Sequence, residues 1–355
     1  MQSFKLFLET FGVIITLFTI IPLVKNDYWI FRVFEYPRLQ KLVLNVGLVL
    51  AICLFAFPVT ITDKIVSALL LVNLGYLIFL IFPFTIFGKK QIISTSETNS
   101  KNNLKLFIAN VYQENRKATE YLKLIDTYNP DVVLMVETDD WWESKMDALI
   151  PKYPYQIKAP LPNTYGMIFY SKFELLDGNV KYLVKNDIPS IETLINLPSG
   201  QLVKLYCLHP EPPVPQENPR STERDKEILL IAEKAKESKY PVIVMGDLND
   251  VAWSYTTELF GKISGLLDPR RGRGFFNSFN AKYFFLRFPL DHIFCSADFA
   301  LSSIKRLPNC GSDHFSMCVD LCYNPKAEKH NNVPVATQED KELADEKINE
   351  RTSEK

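Results

Sequence analysis

Apolar residues are concentrated in the first quarter of the chain, where they form three long runs separated by short polar stretches. The runs cover residues 6–24, 42–61 and 65–87. A helix needs about 20 mostly apolar residues to cross the hydrocarbon core of a bilayer, and each run approaches or exceeds that length. The pattern therefore predicts a membrane anchor of three transmembrane helices over residues 1–90.

The same runs are compatible with two other kinds of segment. The first run, which contains Glu9, could be a signal peptide, but it lacks a clear basic leader and a small-residue cleavage site, and two further runs follow. The runs could also be buried core helices, although a small soluble domain has little room for three of them. A transporter is disfavoured because the spans carry almost no polar side chains to form a substrate path.

Basic residues suggest how the anchor is oriented. Those between the first two runs and just after the third are Lys25, Arg32, Arg38, Lys41, Lys89 and Lys90, whereas the other side has only Lys5 and Lys64. The positive-inside rule then places the first loop and the C-terminal part of the chain in the cytoplasm. The membrane that holds the anchor is expected to be a bacterial plasma membrane. The bias is modest, so the opposite orientation stays open.

The remaining chain divides into three parts by composition. Residues 91–103 include the polar stretch STSETNSKNN and are predicted to be a linker. Residues 323–355 are charged and poor in aromatic residues, which predicts a disordered tail with at most a frayed helix. Residues 104–322 have the size of one globular domain.

Strand and helix patterns alternate in this domain, with shorter strand candidates in its middle. The same order occurs twice: an apolar stretch, then a helical repeat, then a buried strand. In the second cycle, Thr222 and Asp225 could form a capping box at the start of the helix. The predicted strands cover residues 104–111, 131–136, 166–170, 191–197, 202–208 and 242–245. The mixture indicates an α/β domain of the layered-sandwich type rather than a doubly wound sheet.

Charge and cysteine content narrow the function classes. The chain has 40 basic and 41 acidic residues, so bulk charge alone would not hold it on nucleic acid. Its six cysteines lack the spacing of a zinc site and are expected to be free, buried thiols in a reducing compartment.

Polar residues at the ends of apolar strands are the candidate chemistry. They are Asn110, Glu137, His209, Asp247, Asn249, Asp291, Asp313 and His314. A lone aspartate at a strand end usually caps a turn, and a lone histidine is usually structural. Together, however, carboxylate and amide oxygens suit Mg²⁺, and a histidine beside an aspartate suits proton transfer or transition-state stabilisation. The set predicts metal-assisted hydrolysis at a phosphoryl centre.

The ordered motifs LFIANV, VVLMVE, LHPEPP, VIVMGDLND, LDHIF and GSDHF resemble those of the endonuclease/exonuclease/phosphatase superfamily. The resemblance covers residues 104–321, and the three-run prefix with its FEYPRLQ loop is similar to a bacterial membrane-anchored branch. It implies a four-layer α/β sandwich with two central mixed sheets, preceded by three transmembrane helices, and a catalytic site at one edge.

The resemblance also implies residue roles. Glu137 would be the principal ligand of Mg²⁺, with Asn110 and Asp313 assisting, and Mn²⁺ could use the same ligands. The catalytic set would be Asp247 at the attacking water, Asn249 orienting it, His314 on the phosphoryl oxygens, Asp291 holding His314, and His209 at the phosphate. Whether Asp247, Asp313 or His314 is the base stays open.

Two arginines are further substrate-binding candidates. Arg224 and Arg271 could contact phosphate, since the guanidinium group matches its geometry. Arg224 could equally lie on a solvated helix face, and Arg271, in the basic stretch DPRRGRGFF, could lie on a flexible surface turn. Glu211 in the HPEPP loop is interpreted as a loop residue rather than a ligand.

The sequence thus predicts a membrane-anchored, divalent-metal-dependent phosphoesterase that hydrolyses a phosphodiester or phosphomonoester. Nucleic acid, a phospholipid and a soluble phosphate ester are the candidate substrates, and no feature indicates a protein partner. The alternative is a catalytically silent membrane scaffold that keeps the fold. Such a protein would be expected to lose Glu137, Asp247 or His314, and all three are present.

Overall fold

Two β-sheets packed face to face form the centre of the structure, a computed structural model that describes residues 2–55, 59–96 and 101–352. The helices are α1 Gln2–Ile20, α2 Trp29–Arg32, α3 Arg38–Phe55, α4 Ile61–Ile81, α5 Ala118–Tyr128, α6 Asp140–Met146, α7 Thr222–Glu237, α8 Tyr255–Ser264 and α9 Gln338–Asn349. The strands are β1 Asn103–Asn110, β2 Val132–Val136, β3 Tyr155–Ala159, β4 Met167–Ser171, β5 Leu175–Lys181, β6 Ser190–Asn196, β7 Leu202–Leu208, β8 Val242–Asp247, β9 Asp291–Cys295, β10 Phe299–Arg306 and β11 Met317–Tyr323.

Both sheets are mixed and have a parallel pair in their interior. One sheet has the strand order β10-β11-β1-β2-β4-β3, and the other has the order β5-β6-β7-β8-β9. Strands β1 and β2 are parallel, as are β7 and β8, while the other neighbours are antiparallel. The carboxyl ends of these four strands therefore define one edge of the molecule.

Side-chain alternation along the strands produces the layers. Leu106 and Ile108 of β1 point into the core between the sheets, where they join residues such as Leu205 and Met245. Residues of opposite parity pack outward, against α5 and α6 on one sheet and against α7, α8 and α9 on the other. Strands buried on both faces read as continuous apolar runs, as they do here. The predicted four-layer sandwich with two mixed sheets is confirmed.

Among the residues that the structure describes, three helices are long and apolar enough to span a membrane: Gln2–Val24, Arg38–Phe55 and Ile61–Phe84. Only 22–28% of each apolar window is buried inside the protein, and side chains such as Val72 and Phe79 are 75% and 74% exposed. A soluble protein rarely exposes so much contiguous apolar surface. All three helices begin about four residues earlier than predicted, and the third starts after an N-cap formed by Thr60 with Asp63.

The loop between α1 and α3 lies against the globular domain. Trp29 donates its backbone N–H to the Pro219 carbonyl at 2.7 Å, and the Trp253 indole donates to the Glu35 carbonyl at 2.9 Å. The chain that leaves α4 enters the same domain. Both connections therefore lie at one end of the helical bundle, because two helices, α3 and α4, run from one connection to the far end and back.

Two expectations about the flanking segments differ from the structure. In the expected linker, Ile92 is fully buried and Ser94 forms a bridge with Leu301, while residues 97–100 lie outside the described residues. The expected disordered tail instead forms a short 3₁₀ helix at Pro325–Lys329 and helix α9. In α9, Ala344 packs against α7 and α8, and Lys347 forms an ion pair with Asp27. The tail's few apolar residues fall on one helical face, which overall composition does not reveal.

Two smaller predictions concern α7 and the cysteines. The helix α7 begins after Ser221, whose hydroxyl donates to the Asp225 carboxylate at 2.9 Å, so the proposed capping box of Thr222 with Asp225 is wrong. Asp225 is held instead by the neighbouring Arg224. The cysteines of the globular domain are buried thiols as predicted, at Cys207, Cys295, Cys310, Cys318 and Cys322, whereas Cys53 in α3 is exposed.

Candidate active site

The site is built at the edge where the parallel strands end. Asn110 is the last residue of β1 and Glu137 follows β2, while His209 follows β7 and Asp247 ends β8. Because parallel neighbours have their carboxyl ends on the same side, each sheet delivers two polar side chains to one edge. Packing of the two sheets then brings the four strand ends together.

An amide bridges carboxylates from the two sheets. The side-chain nitrogen of Asn110 donates to Glu137 Oε1 at 2.6 Å and to Asp247 Oδ2 at 3.0 Å. The Gln113 backbone N–H donates to Glu137 Oε2 at 3.3 Å, and the Tyr112 backbone N–H donates to Asn110 Oδ1 at 3.0 Å. Asn110 is thus fixed at both ends of its amide and sets the separation of the two carboxylates.

His314 lies between two buried aspartates. Its Nδ1 is 2.8 Å from Asp291 Oδ2, and its Nε2 is 3.6 Å from Asp247 Oδ2. Burial lowers the pKa of His314, but the two carboxylates outweigh it and raise the pKa to about 10. The imidazole is therefore protonated at neutral pH and offers Nε2–H as a hydrogen-bond donor, while Asp291 fixes the orientation of the ring.

Glu137 is held in an unfavourable electrostatic and backbone environment. Burial, with Asp247 and Asp313 nearby, raises the pKa of Glu137 to about 7 despite the Asn110 hydrogen bond. Its φ of 60° lies in the left-handed region, as does the φ of 49° at Asn249. Such backbone strain clusters at functional sites, because surrounding structure must hold it in place.

The crowded carboxylates fit a divalent cation. Glu137, Asp247, Asp291 and Asp313 converge with a single protonated histidine, so the cluster carries excess negative charge, and its donors are hard oxygens of the kind Mg²⁺ and Mn²⁺ prefer. Asp247, Asp291 and His314 also place ligand atoms within 4.8 Å of one another. Since His314 is protonated and Asp291 already accepts its hydrogen bond, the side of the cluster at Glu137 is better suited to hold a cation.

His209 lies beside this cluster. It is buried, and its Nδ1 has no hydrogen-bond partner within the described ranges. Burial lowers the pKa of His209 to about 4, so the ring is neutral. The next residue, Pro210, accepts a hydrogen bond from the Asn249 side chain at 3.0 Å, which links this loop to the one after β8. A buried polar atom without a partner is unfavourable for stability, which is a feature of functional sites rather than of ordinary cores.

A cleft of about 270 Å³ opens over the cluster. Its polar floor is formed by Asn110, Glu137, Asp247, Asn249, Asp313 and His314. Its walls are the proline-rich segment 212–214, Phe279 and Leu290, together with Val33 and Tyr36 from the loop between α1 and α3. The anchor region therefore forms part of the cleft.

The two substrate-binding arginines predicted from the sequence lie elsewhere. Arg224 is fully buried, bonds to Asp225 through Nε and Nη2, and donates from Nη1 to the Asn249 carbonyl at 2.8 Å. Arg271 forms an ion pair with Glu258 and lies 4.9 Å over the Phe84 ring at the junction with the anchor. Neither borders the cleft in the described part of the chain, because local acidic partners compete for each guanidinium. The substrate-binding prediction for Arg224 and Arg271 is therefore wrong for this cleft.

Sequence reasoning missed the residues that reach the site from far along the chain. The Tyr36 hydroxyl donates to the Asn249 carbonyl at 2.8 Å across 213 positions. A signal was present, because Tyr36 lies in the FEYPRLQ stretch that stood out as a family feature. His292 was also missed; its Nε2 is 2.9 Å from the Asp250 carbonyl, on the opposite face of β9 from Asp291.

The fold and this site define a class of protein: a two-sheet sandwich hydrolase whose carboxylates, amide and protonated histidine meet at the ends of parallel strands. The chain belongs to the Endonuclease/Exonuclease/phosphatase family, whose model matches residues 107–314. Members of this family are divalent-metal-dependent hydrolases of phosphoester bonds, and the protein is therefore a hydrolase of this kind. No curated protein matches the chain.

Solved structures share the fold at low sequence identity. A TDP2 of D. rerio humanized by 14 mutations covers 62% of this chain and is itself covered to 99%, with 17% identity and a TM-score of 0.52. D. rerio TDP2 complexed with a single-strand DNA product gives 18% identity and a TM-score of 0.52, covering 62% of this chain and 98% of that one. The human Nocturnin catalytic domain with bound sulfate anion has 15% sequence identity and a TM-score of 0.51. The match covers 63% of this chain and 96% of that one. These likenesses establish the fold.

Proposed function

We propose that the protein is a membrane-anchored phosphoesterase that uses a divalent metal to hydrolyse a phosphodiester or phosphomonoester. The observation that carries this proposal is the single amide of Asn110 joining Glu137 and Asp247 across the two sheets. The same Asp247 carboxylate lies 3.6 Å from His314 Nε2. Preorganised donors and carboxylates of this kind stabilise charge that develops at a phosphoryl centre.

The metal would be held by Glu137, with Asp313 assisting and Asn110 positioning the Glu137 carboxylate. Mg²⁺ is the proposed ion, with Mn²⁺ able to replace it. When bound, such an ion supplies Lewis-acid polarisation of a phosphoryl oxygen.

The remaining residues act on water and phosphate. Asp247 accepts a proton from the attacking water, and Asn249 orients that water. His314 donates its Nε2–H to a phosphoryl oxygen, and Asp291 holds the ring through Nδ1. His209, buried beside this cluster, is the proposed contact to another phosphate oxygen.

The three apolar helices would anchor the enzyme in a membrane, with the α1–α3 loop and the globular domain on the same side. The basic residues of that loop favour the cytoplasmic side of a plasma membrane. Contacts between the loop and the domain support an arrangement in which both lie on one side.

The full-length protein in detergent micelles provides the test. Its hydrolysis of bis(p-nitrophenyl) phosphate is measured with Mg²⁺ or Mn²⁺, beside Glu137→Gln and His314→Ala, with the exposed Glu114→Gln as the matched control. Turnover should require the metal, fall by about 10²-fold or more in the two site variants, and stay near the unaltered level in Glu114→Gln. Folded protein that neither turns over the ester nor binds Mg²⁺ by calorimetry would favour a silent membrane scaffold.

A further inference from the structure

The segment of residues 282–287, called here the aromatic loop, exposes consecutive large apolar side chains. Phe284 and Phe285 are 81% and 65% exposed, and Tyr283 and Leu286 are also exposed. Lys282 and Arg287 flank them. Four exposed apolar residues in a row indicate a surface that another apolar phase covers, because water contact with them is unfavourable.

The aromatic loop lies at the first turn of the second membrane helix. Gln40, the third residue of α3, donates its side-chain amide to the Phe285 carbonyl at 2.9 Å. Helix α3 is one of the three candidate spans, and its first turn is the point where it would enter the bilayer. The loop is therefore level with the membrane surface, where aromatic side chains partition favourably and flanking basic residues meet anionic headgroups.

The base of the aromatic loop is a wall of the cleft. The Phe279 backbone N–H donates to the Phe288 carbonyl at 2.9 Å, and the Ala281 backbone N–H donates to the Asp313 carbonyl at 2.6 Å. The Phe279 ring lies 4.9 Å from the His314 ring. One short hairpin thus runs from the proposed catalytic histidine to the membrane surface.

A neighbouring part of the cleft wall comes from the membrane anchor. Tyr36, two residues before α3, donates to the Asn249 carbonyl, and its ring meets the Phe288 ring edge-on with centroids 5.7 Å apart. Val33 lines the same cleft and is partly exposed. Two elements that are both joined to the start of α3 therefore frame the cleft.

We infer that the aromatic loop inserts into the bilayer surface and that the site takes its substrate from that bilayer, as the phosphate ester of a lipid headgroup. The substrate part of this inference rests on the proposed function. Insertion places the cleft, framed by Phe279 and Tyr36, at headgroup depth, so a lipid reaches His314 without leaving the membrane. A nucleic acid would have to approach the same opening past the bilayer.

Insertion is tested without any catalytic readout. In full-length protein carrying Cys53→Ser, the remaining cysteines are buried, so Phe284→Cys can be labelled selectively with a nitroxide. The matched control is Tyr182→Cys, which replaces an exposed aromatic residue of the globular domain away from the cleft. In phosphatidylcholine nanodiscs, position 284 should be more accessible to O₂ and less accessible to a water-soluble nickel chelate than position 182. Equal accessibilities at the two positions would overturn insertion.

Substrate class is tested by comparing two esters in the same preparation. The double variant Phe284→Ser with Phe285→Ser is measured on vesicles of phosphatidylcholine and phosphatidylglycerol and on bis(p-nitrophenyl) phosphate, with Tyr182→Ser as control. Lipid hydrolysis should fall roughly tenfold more than hydrolysis of the soluble ester, and Tyr182→Ser should change neither. Equal falls on both esters, or faster hydrolysis of single-stranded DNA than of lipid by the unaltered protein, would overturn the lipid substrate. Failure of the unaltered protein on every ester would overturn the proposed function itself, while the nitroxide result would still decide insertion.

Discussion

Replacing Arg32 with methionine tests whether the anchor loop is an integral part of the hydrolase domain. Arg32 is 2% exposed, and its Nη2 lies 3.2 Å from Glu35, 3.6 Å from Asp250 and 3.9 Å from Asp225. Its guanidinium also stacks 4.0 Å over the Tyr255 ring. Methionine keeps most of the apolar stem but removes the cation from a buried group of carboxylates.

The expected cost follows from the burial of these charges. Removing one partner of a buried ion pair leaves an uncompensated charge and costs about 3–5 kcal/mol. For a domain of about 200 residues each kcal/mol lowers Tm by about 2–4 °C, so the variant should lose on the order of 10 °C. Activity should fall as well, because the same loop carries Tyr36 to the Asn249 carbonyl.

Thermal unfolding of the full-length protein in detergent, followed by tryptophan fluorescence, measures the effect. The matched control is Arg116→Met, which breaks an ion pair with Asp139 on a side chain that is 46% exposed. Exposed pairs contribute about 0–1 kcal/mol, so this control should hardly change Tm. A shift for Arg32→Met no larger than the control's would refute the reasoning that the loop is locked to the domain by buried charge.

Three further outcomes are expected. Asp291→Asn removes a carboxylate that raises the pKa of His314, so His314 should lose its proton at lower pH and the alkaline limb of kcat/KM should move down by about one pH unit or more. Burial raises the pKa of Glu227 from its usual 4.5 to about 7. The folded protein therefore holds Glu227 neutral more readily than the unfolded chain does, and this contribution to stability is fully present below pH 4.5 and is lost as the pH rises through 7. Glu227→Gln should therefore gain stability relative to the unaltered protein across that window, by about 3 kcal/mol at pH 8, measured as Tm against pH. In Gly166→Ala the new Cβ would lie 1.9 Å from the Thr138 carbonyl, and Thr138 directly follows the proposed metal ligand Glu137, so both Tm and activity should fall.

Each of these outcomes has a matched control. Asp126→Asn and Glu237→Gln change exposed carboxylates and should leave the pH profiles unaltered. Gly47→Ala adds a Cβ with no atom within 4 Å and should leave Tm unchanged. An unshifted alkaline limb, a parallel Tm-against-pH curve for Glu227→Gln, or a fully stable Gly166→Ala would each contradict the corresponding argument.

Local pattern was sufficient to predict the strands and the polar residues that end them. Asn110, Glu137 and Asp247 each follow a short apolar run, and a buried strand that ends in a carboxylate or amide is recognisable from its own neighbours. Their order along the chain also matched the family. The sequence therefore determined the class of fold and most members of the site.

Burial and partners of charged side chains could not be read in the same way. The sequence predicts Arg224 as a phosphate contact or a residue of a solvated helix face, yet Asp225 and Asp250 enclose it in the folded protein. The C-terminal segment appeared disordered by composition, yet α9 packs on two helices that are distant in sequence. Both errors have one physical cause, because burial of Arg224 and of α9 depends on segments that lie far apart along the chain, such as Asp250 for Arg224 and α7 and α8 for α9.

The walls of the cleft likewise combine elements that the sequence predicts with contacts that it does not. The sequence by itself determined that three apolar helices precede a hydrolase domain and that carboxylates, an amide and histidines close its strands. Only the tertiary structure decided that Tyr36 of the anchor would bond to the Asn249 loop, and that the aromatic loop would meet the first turn of α3. Such contacts depend on how separately formed elements pack, and hydrophobic packing is non-directional, so their geometry emerges only when the whole chain is folded.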